Sequence, residues 1–321
     1  MKALPAVLAV CGALGAGPAA AQLKIETVTI DRKTETVEIE VAYPRTGNAT
    51  IDTLFADWAT DMVAEFERSA DDDFASWKQD NNGEPPPWGT YSLYVGFEVP
   101  RNDIEMLVID FDKSMFTGGA HPNHDIDTYN FMMPDAWQVF LPEIFAGKPA
   151  LEKISALAIA DLERQFDNPD SMSDPDWLKS GAGPSWSNFQ DFLLLSDKLV
   201  IRFPPYQVAA YAAGDQRVEI PLSKLAGLMR DDWRTPVASF DCGKAGTATE
   251  KAICSDVALA RLDRSLADVY GQALSWASDD AEKTKIRDAQ RSWIGERNAC
   301  GGDVACLTAA YDARLKALQP G

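Results

Sequence analysis

The residues with the clearest chemical potential are four cysteines near the end of the chain, Cys242, Cys254, Cys300 and Cys306. The intervals between them hold 11, 45 and 5 residues. No Cys-x-x-Cys pair is therefore present, which disfavours a zinc site built from four cysteines. Four cysteines indicate two disulfides if the chain is exported, and they allow three pairings. We expect them to stabilise a fold and not to supply a reactive thiolate.

A second group of reactive residues contains the only two histidines, His121 and His124, which follow Gly118 and Gly119. The H-x-x-H spacing supplies two imidazoles, but a zinc hydrolase needs a helical H-E-x-x-H motif or a third ligand. The glycines lack the G-x-G-x-x-G or P-loop frame of a phosphate site, so a tight turn is expected. We predict no metal and no cofactor, and we treat these four residues as a possible partner-binding loop.

The sequence shows no recognisable catalytic set. No G-x-S-x-G nucleophile elbow occurs. The chain has 49 acidic residues, so any two carboxylates could meet in space and a glycosidase-like pair cannot be singled out. We therefore predict that the protein is not an enzyme.

Residues 1–21 have the pattern of a secretory signal peptide. Lys2 provides the positive charge, a short apolar run follows, and three alanines at 19–21 form a cleavage site. Lipidation at Cys11 is disfavoured because a bulky valine precedes it. No later run of eighteen apolar residues occurs. The mature chain is expected to begin near Gln22, to be periplasmic or secreted, and not to insert into the membrane.

Charge divides the chain into two parts. Residues 22–241 hold 18 basic and 38 acidic residues, whereas residues 242–321 hold 11 of each. The acidic part disfavours nucleic acid and anionic lipid as partners and is compatible with a cationic partner. The alternative is an acidic surface that only keeps the protein in solution. We predict one domain over 22–232, a linker over 233–241 and a second domain over 242–321.

Hydrophobic periodicity predicts an α+β class for the first domain, with a mixed sheet and packed helices. Alternation predicts a hairpin, and a long amphipathic helix that lies on the sheet follows it. The apolar residues of this helix recur every three or four positions and are Ile51, Leu54, Phe55, Trp58, Met62 and Phe66. The predicted strands cover 24–31, 36–43, 91–99, 104–116, 125–132, 189–195 and 199–203, and the predicted helices cover 49–77, 141–145 and 150–166.

The second domain is predicted to be small, all-α and disulfide-stapled. A capping box at Thr247 and Glu250 starts a helix that ends near Cys254. Asp256, Asp279 and Asp303 precede three further stretches with apolar residues at helical spacing, and these residues include Ile294 in the second stretch and Val304 in the third.

Within this domain an ordered series of residues resembles the N-terminal domain of the LprI-type lysozyme inhibitors. The series contains Thr249 to Cys254, Leu259, Leu262-Asp263, Tyr270, Gln290 to Trp293, Arg297 to Cys300, Cys306, Tyr311 and Arg314. The resemblance implies the pairs Cys242–Cys254 and Cys300–Cys306, and each pair would also close a short loop at a helix end. It further implies capture or inhibition of lysozyme.

Three stretches of the first domain resemble the extracellular domain of RsiV-like proteins. They are 116–131, which includes Gly-Gly-Ala-His, then 141–145, and 203–221, which includes Tyr-Ala-Ala-Gly. That family includes a lysozyme-sensing anti-sigma factor and the non-catalytic region before some peptidoglycan deacetylase domains. The chain departs from the pattern at 134–137, where relatives tend to carry a Gly-Lys turn. No metal-binding Asp-Asp and His-x-x-x-His pair of a deacetylase domain is found.

Both resemblances imply a periplasmic binding protein that captures or inhibits lysozyme by steric occlusion. Its partner would be lysozyme or another cationic protein that acts on the envelope. The alternative is a cell-envelope module that binds peptidoglycan or another envelope protein and has no affinity for lysozyme. A hydrolase would require a catalytic set that the sequence does not reveal.

Overall fold

A computed structural model describes residues 22–145, 147–167, 174–230, 233–234, 238–277 and 279–318. The predicted signal peptide and most of the predicted loop after residue 166 lie outside these ranges. Two sheets with packed helices are followed by four helices, so the predicted fold class is confirmed. The structure does not test the predicted domain boundaries. No described helix has both the length and the apolar character needed to cross a bilayer.

The larger sheet has six strands in sequence order. They are β1 (Glu26–Lys33), β2 (Val37–Arg45), β3 (Tyr91–Asn102), β4 (Met106–Phe116), β5 (Asn123–Met132) and β6 (Trp137–Gln138). The predicted hairpin is the antiparallel pair of β1 and β2. Strands β2 and β3 run parallel because the helix α1 (Ala49–Asp80) connects them.

Helix α1 covers one face of this sheet. It begins where the Asn48 side chain accepts hydrogen bonds from two backbone amides of the first turn. Phe55 and Phe66 are buried against the sheet as predicted. The small side chains of Ala59 and Ala70, which are also buried, allow the helix to lie close to the sheet. Leu54 was expected in the buried set, which is wrong because it is 37% exposed. It lies beside the buried stripe, at the margin of the contact with the sheet.

The second layer packs on the opposite face. It contains the helices α2 (Leu141–Ile144), α3 (Gly147–Gln165) and α4 (Pro175–Ala182), and the antiparallel strands β7 (Phe192–Leu194), β8 (Lys198–Phe203) and β9 (Gln216–Pro221). The strand predicted over 189–195 is shorter, because Trp186–Phe189 forms a 3₁₀ turn before it. Helix α4 and strands β6 and β9 were not predicted by periodicity.

Asn130 joins the two sheets. Its side-chain amide donates to the backbone oxygen of Phe192 at 2.7 Å, and its oxygen accepts from the amide of Leu194 at 2.8 Å. The asparagine is buried, so both polar atoms need these partners. The bonds fix β7 against β5 and therefore set how the second layer sits behind the larger sheet.

The C-terminal unit has four helices and its own hydrophobic core. They are α5 (Ala248–Ser255), α6 (Val257–Trp276), α7 (Asp280–Asn298) and α8 (Val304–Leu318). The capping box at Thr247 and Glu250 is present as predicted. Ile294 and Val304 were expected on the buried faces, and this is wrong because both are exposed. Trp293 occupies the inward position on α7, and Val304 lies at the first turn of α8, outside the packed part.

The two disulfides are Cys242–Cys254 and Cys300–Cys306, which confirms the predicted pairing. Each closes a short loop beside a helix end. The hydroxyl of Thr249 donates to the backbone oxygen of Gly301 at 2.8 Å. This bond holds α5 against the turn between α7 and α8, so the two disulfides brace neighbouring parts of one core.

Candidate functional site

The predicted partner-binding loop joins β4 to β5. Gly118 has φ +85°, and a methyl group at this position would lie 2.8 Å from the Trp88 ring. Only glycine combines that backbone conformation with so close an approach. Gly118 and Gly119 therefore form the expected tight turn, and this turn packs on the Trp88 ring. His121 follows the turn and is exposed to solvent.

His121 packs on a residue ninety positions later in the chain. Its ring is stacked on Tyr211, with ring centres 3.8 Å apart and planes 19° from parallel. The Tyr211 hydroxyl donates to the backbone oxygen of Pro122, and the His124 ring lies 6.1 Å from Tyr211. The Gly-Gly-Ala-His and Tyr-Ala-Ala-Gly segments thus form one surface.

Tyr206 extends this surface. Its ring centre lies 5.5 Å from that of Tyr211, and 54% of the residue is exposed. Its φ of +72° is unusual for a bulky residue and costs about 1–3 kcal/mol. The Trp177 indole donates to the Tyr206 backbone oxygen at 2.8 Å, which supports this strained position. We call His121, His124, Tyr206 and Tyr211 the aromatic patch.

A cluster of charged side chains joins β4, β8 and the residue before β9. Arg202 is buried, and its guanidinium contacts Asp110, Asp112 at 2.8 Å and Asp215 at 2.9 Å. Burial raises the pKa of the Asp110 carboxyl against the attraction of Arg202. Arg202 thus faces three acidic side chains, and Arg217 also attracts Asp110. The Asp112 and Asp215 side chains are 65% and 50% exposed, so part of the negative charge of this cluster reaches the surface.

A metal site at the histidines is not formed by the described residues. No group of three or more His, Cys, Asp or Glu side chains among them is arranged to hold an ion. His121 directs Nδ1 towards the backbone oxygen of Pro122 at 2.9 Å. The neighbouring Asp125 and Asp127 both pair with Lys113, at 2.9 and 2.8 Å.

A second feature is an acidic cleft of about 600 Å³ between α1, β5 and α8. Trp58 and Trp186 contribute aromatic walls. Its five carboxylates belong to Asp57, Asp61, Asp127, Asp191 and Asp312. Burial, followed by repulsion from Asp127 and Asp125, raises the pKa of Asp191 to about 7. Burial also raises the pKa of Asp312. The cleft attracts cations, and both units of the chain line it.

Three segments match known family models. Residues 242–318 match the model described as lysozyme inhibitor LprI, residues 30–124 match deacetylase PdaC, and residues 140–223 match a protein of unknown function, DUF3298. Both resemblances are confirmed. The C-terminal unit resembles lysozyme inhibitors, and the larger part resembles the region associated with peptidoglycan deacetylases.

The individual relatives each match about two thirds of this chain. The Bacillus subtilis peptidoglycan-N-acetylmuramic acid deacetylase PdaC is 25% identical over 210 residues, which is 65% of this chain and 42% of that protein. The chain therefore spans less than half of that curated relative. A DUF3298 structure from Bacteroides fragilis is 16% identical, with TM-score 0.49, and covers 65% of this chain and 94% of its own. One from Pseudomonas aeruginosa is 15% identical, with TM-score 0.46, and covers 67% and 97%.

The sequence did not identify Tyr206 and Tyr211 as partners of the predicted loop. Their segments were recognised as familiar, which was the available signal, but the contact with His121 is tertiary. The acidic cleft was missed because its carboxylates come from separate elements. Whether the predicted loop binds a partner stays a prediction.

Proposed function

We propose that this protein is exported and captures lysozyme, blocking it by steric occlusion. The match of residues 242–318 to a lysozyme-inhibitor model supports the choice of partner. The excess of acidic residues in 22–241 supports a strongly basic one. The proposal places the contact on the larger unit, at the aromatic patch.

The stack of His121 on Tyr211 is the observation that carries this assignment. It joins two loops that are distant in sequence into one exposed aromatic surface. Tyrosines at the centre of an interface supply large contact areas at low entropic cost, and they are frequent among the residues that dominate binding. The strained backbone of Tyr206 presents such a ring to solvent.

Occlusion requires no chemistry from this chain. Lysozyme needs a sugar chain between its two catalytic carboxylates, so a protein surface seated over that cleft stops hydrolysis. The excess of acidic residues in the larger unit would attract basic residues of the partner. We propose on this basis that the protein acts as a binding protein and not as an enzyme.

A cell-envelope module that binds peptidoglycan is the second candidate. The similarity of the larger unit to a protein named as a peptidoglycan deacetylase favours it. Exposed tyrosine faces also contact sugar rings, so the aromatic patch fits this candidate chemically. Under it, the protein sediments with purified cell walls and leaves lysozyme activity unchanged.

The test is a cell-wall lysis assay with lysozyme and the mature chain. We expect inhibition that saturates near one protein per lysozyme. The variant Tyr206→Ala should weaken inhibition by about tenfold or more, which corresponds to a loss of about 1.4 kcal/mol or more. Tyr94→Ala is the matched control, because Tyr94 is another exposed tyrosine of the same unit and lies on β3.

Two outcomes would contradict the proposal. Absence of any complex at low salt removes lysozyme as the partner, and equal losses in both tyrosine variants remove the aromatic patch as the contact. Wall degradation by the protein alone would show that it is an enzyme.

A further inference from the structure

The C-terminal unit contains a cavity of about 360 Å³ between α6 and α7. Three arginines line it, Arg287, Arg291 and Arg297, together with the single carboxylate of Asp263. We call it the arginine cavity. Cavities of this size accept small organic molecules. Its charge is opposite to that of the chain as a whole, which carries a net charge of −19.

The charge of Asp263 is balanced by Arg297, so it does not offset the charges of Arg287 and Arg291. The Asp263 carboxylate accepts hydrogen bonds from the backbone and the hydroxyl of Ser239 at 2.7 and 2.6 Å, and from the Tyr311 hydroxyl at 2.7 Å. Arg297 lies 3.5 Å from Asp263 and also donates to the Tyr311 hydroxyl at 2.9 Å. These contacts form a buried hydrogen-bond network, in which Asp263 and Arg297 pair with each other and stabilise the fold of the C-terminal unit.

Arg287 and Arg291 take no part in that network. Arg287 has no hydrogen bond or ion pair with any residue in the described ranges. Arg291 pairs with Asp288 at 3.0 Å, but both side chains are exposed and lie one turn apart on α7. Such surface pairs contribute little and exchange readily. Two guanidinium groups are therefore available at the mouth of the cavity.

The walls of the cavity are apolar. Phe240, Leu266, Tyr270 and Trp293 contribute to them, and Trp293 lies beneath the Arg297 guanidinium at 5.3 Å. A ligand that fits needs a ring or other apolar body inside and an anionic group at the mouth. Arginine binds planar carboxylates through two parallel hydrogen bonds, which gives both affinity and orientation.

We propose that the arginine cavity binds a small carboxylate-bearing ligand with a compact ring or short apolar body, held by Arg287 and Arg291. Two sources supply this chemistry, a sugar that carries a carboxylate and the C-terminal carboxylate of a short peptide. The site is independent of the proposed capture of lysozyme, because it lies on a different unit from the aromatic patch.

NMR titration of the whole mature chain tests this, with four probes. N-acetylmuramic acid and N-acetylglucosamine share a ring and differ in the carboxylate, and D-alanyl-D-alanine is compared with its amide. We expect one carboxylate probe of these pairs to bind at least about tenfold more tightly than its neutral counterpart. The pair that shows the difference identifies the source.

Variants locate the site. The double variant R287Q/R291Q should lose at least tenfold in affinity for the carboxylate probe and should keep its helical signal. Lys285→Gln is the matched control, since it removes a positive charge from the same helix at a position that does not line the cavity. Lysozyme inhibition should be unchanged in R287Q/R291Q, so failure of one proposal is distinguishable from failure of the other.

Three outcomes overturn the inference. They are equal binding of charged and neutral probes, equal losses in R287Q/R291Q and Lys285→Gln, and absence of binding by both carboxylate probes at millimolar concentration.

Discussion

Arg202 is a buried charge that connects the two layers of the larger unit. It extends from β8 to Asp110 and Asp112 on β4, and to Asp215 just before β9. The Arg202 and Asp110 side chains are only 8% and 4% exposed. Water therefore cannot replace either partner if the other is removed.

Arg202→Met should be strongly destabilising for this reason. It leaves the Asp110 carboxyl buried without its cation, and we expect the free energy of unfolding to fall by about 3–5 kcal/mol. Urea denaturation measures the loss. Asp215→Asn, which removes a half-exposed partner of the same guanidinium, should cost less than about 1 kcal/mol. Similar small losses in both variants would show that the buried Asp110 carboxyl does not need Arg202 as its partner.

Asp191 should make stability depend on pH. Its pKa of about 7 in the folded protein exceeds the ordinary value of about 4, so folding favours the protonated carboxyl. Stability contributed by this proton is complete below pH 4 and is lost as pH rises through about 7. Lys113 opposes the effect, and Asp127, Asp125 and Asp110 reinforce it.

Asp191→Asn is therefore expected to raise the unfolding temperature at pH 8 and to leave it nearly unchanged at pH 4. Each kcal/mol gained corresponds to about 2–4 °C in a unit of this size. Thermal unfolding at both pH values measures the difference. Asp176→Asn on the exposed start of α4 is the control and should show no such pattern. An equal gain at both pH values would contradict the assignment of the proton to Asp191.

At the scale of elements, the sequence predicted what local pattern and capping determine. The β1–β2 hairpin alternates apolar and polar residues, and α1 begins at a capping asparagine and repeats its apolar stripe for many turns. Helix α4 escaped prediction because it has eight residues and buries mainly Leu178, Gly181 and Ala182, two of which are too small to mark an apolar face. Strand β6 has only two residues.

The candidate site was predictable only in part for a related reason. The turn at Gly118 follows from its residue types, and the disulfide pairing follows from the family resemblance and from short loops at helix ends. The stack of His121 on Tyr211 depends on β8 and β9 packing behind β4 and β5. No local periodicity encodes such a contact, since ninety residues separate the two rings.

At the scale of the whole molecule, the two units meet at the segment 134–137. Arg261 of α6 pairs with Asp135 at 3.1 Å, and its guanidinium lies 5.6 Å from the Trp137 ring centre. This is the segment where the sequence departs from the pattern of RsiV-like proteins. Arg261 contacts this segment while Pro134 and Asp135 remain exposed, and the neighbouring acidic cleft is completed by α8.

The distribution of charge over the whole molecule predicts how capture responds to salt. Residues 22–241 carry the entire excess of acidic over basic residues, and the aromatic patch lies on this part. Attraction of a basic partner extends about 30 Å at 10 mM salt and about 8 Å at 150 mM. The association rate with lysozyme should therefore fall by at least about tenfold across this range, since steering acts on encounter.

Stopped-flow mixing over a salt series measures that rate. Tyr206→Ala should leave the salt dependence of association intact and accelerate dissociation, because the exposed ring contributes contact and not charge. The opposite pattern, with association independent of salt in both proteins, would assign the acidic surface to solubility alone. The aromatic patch would then have to find its partner without long-range attraction.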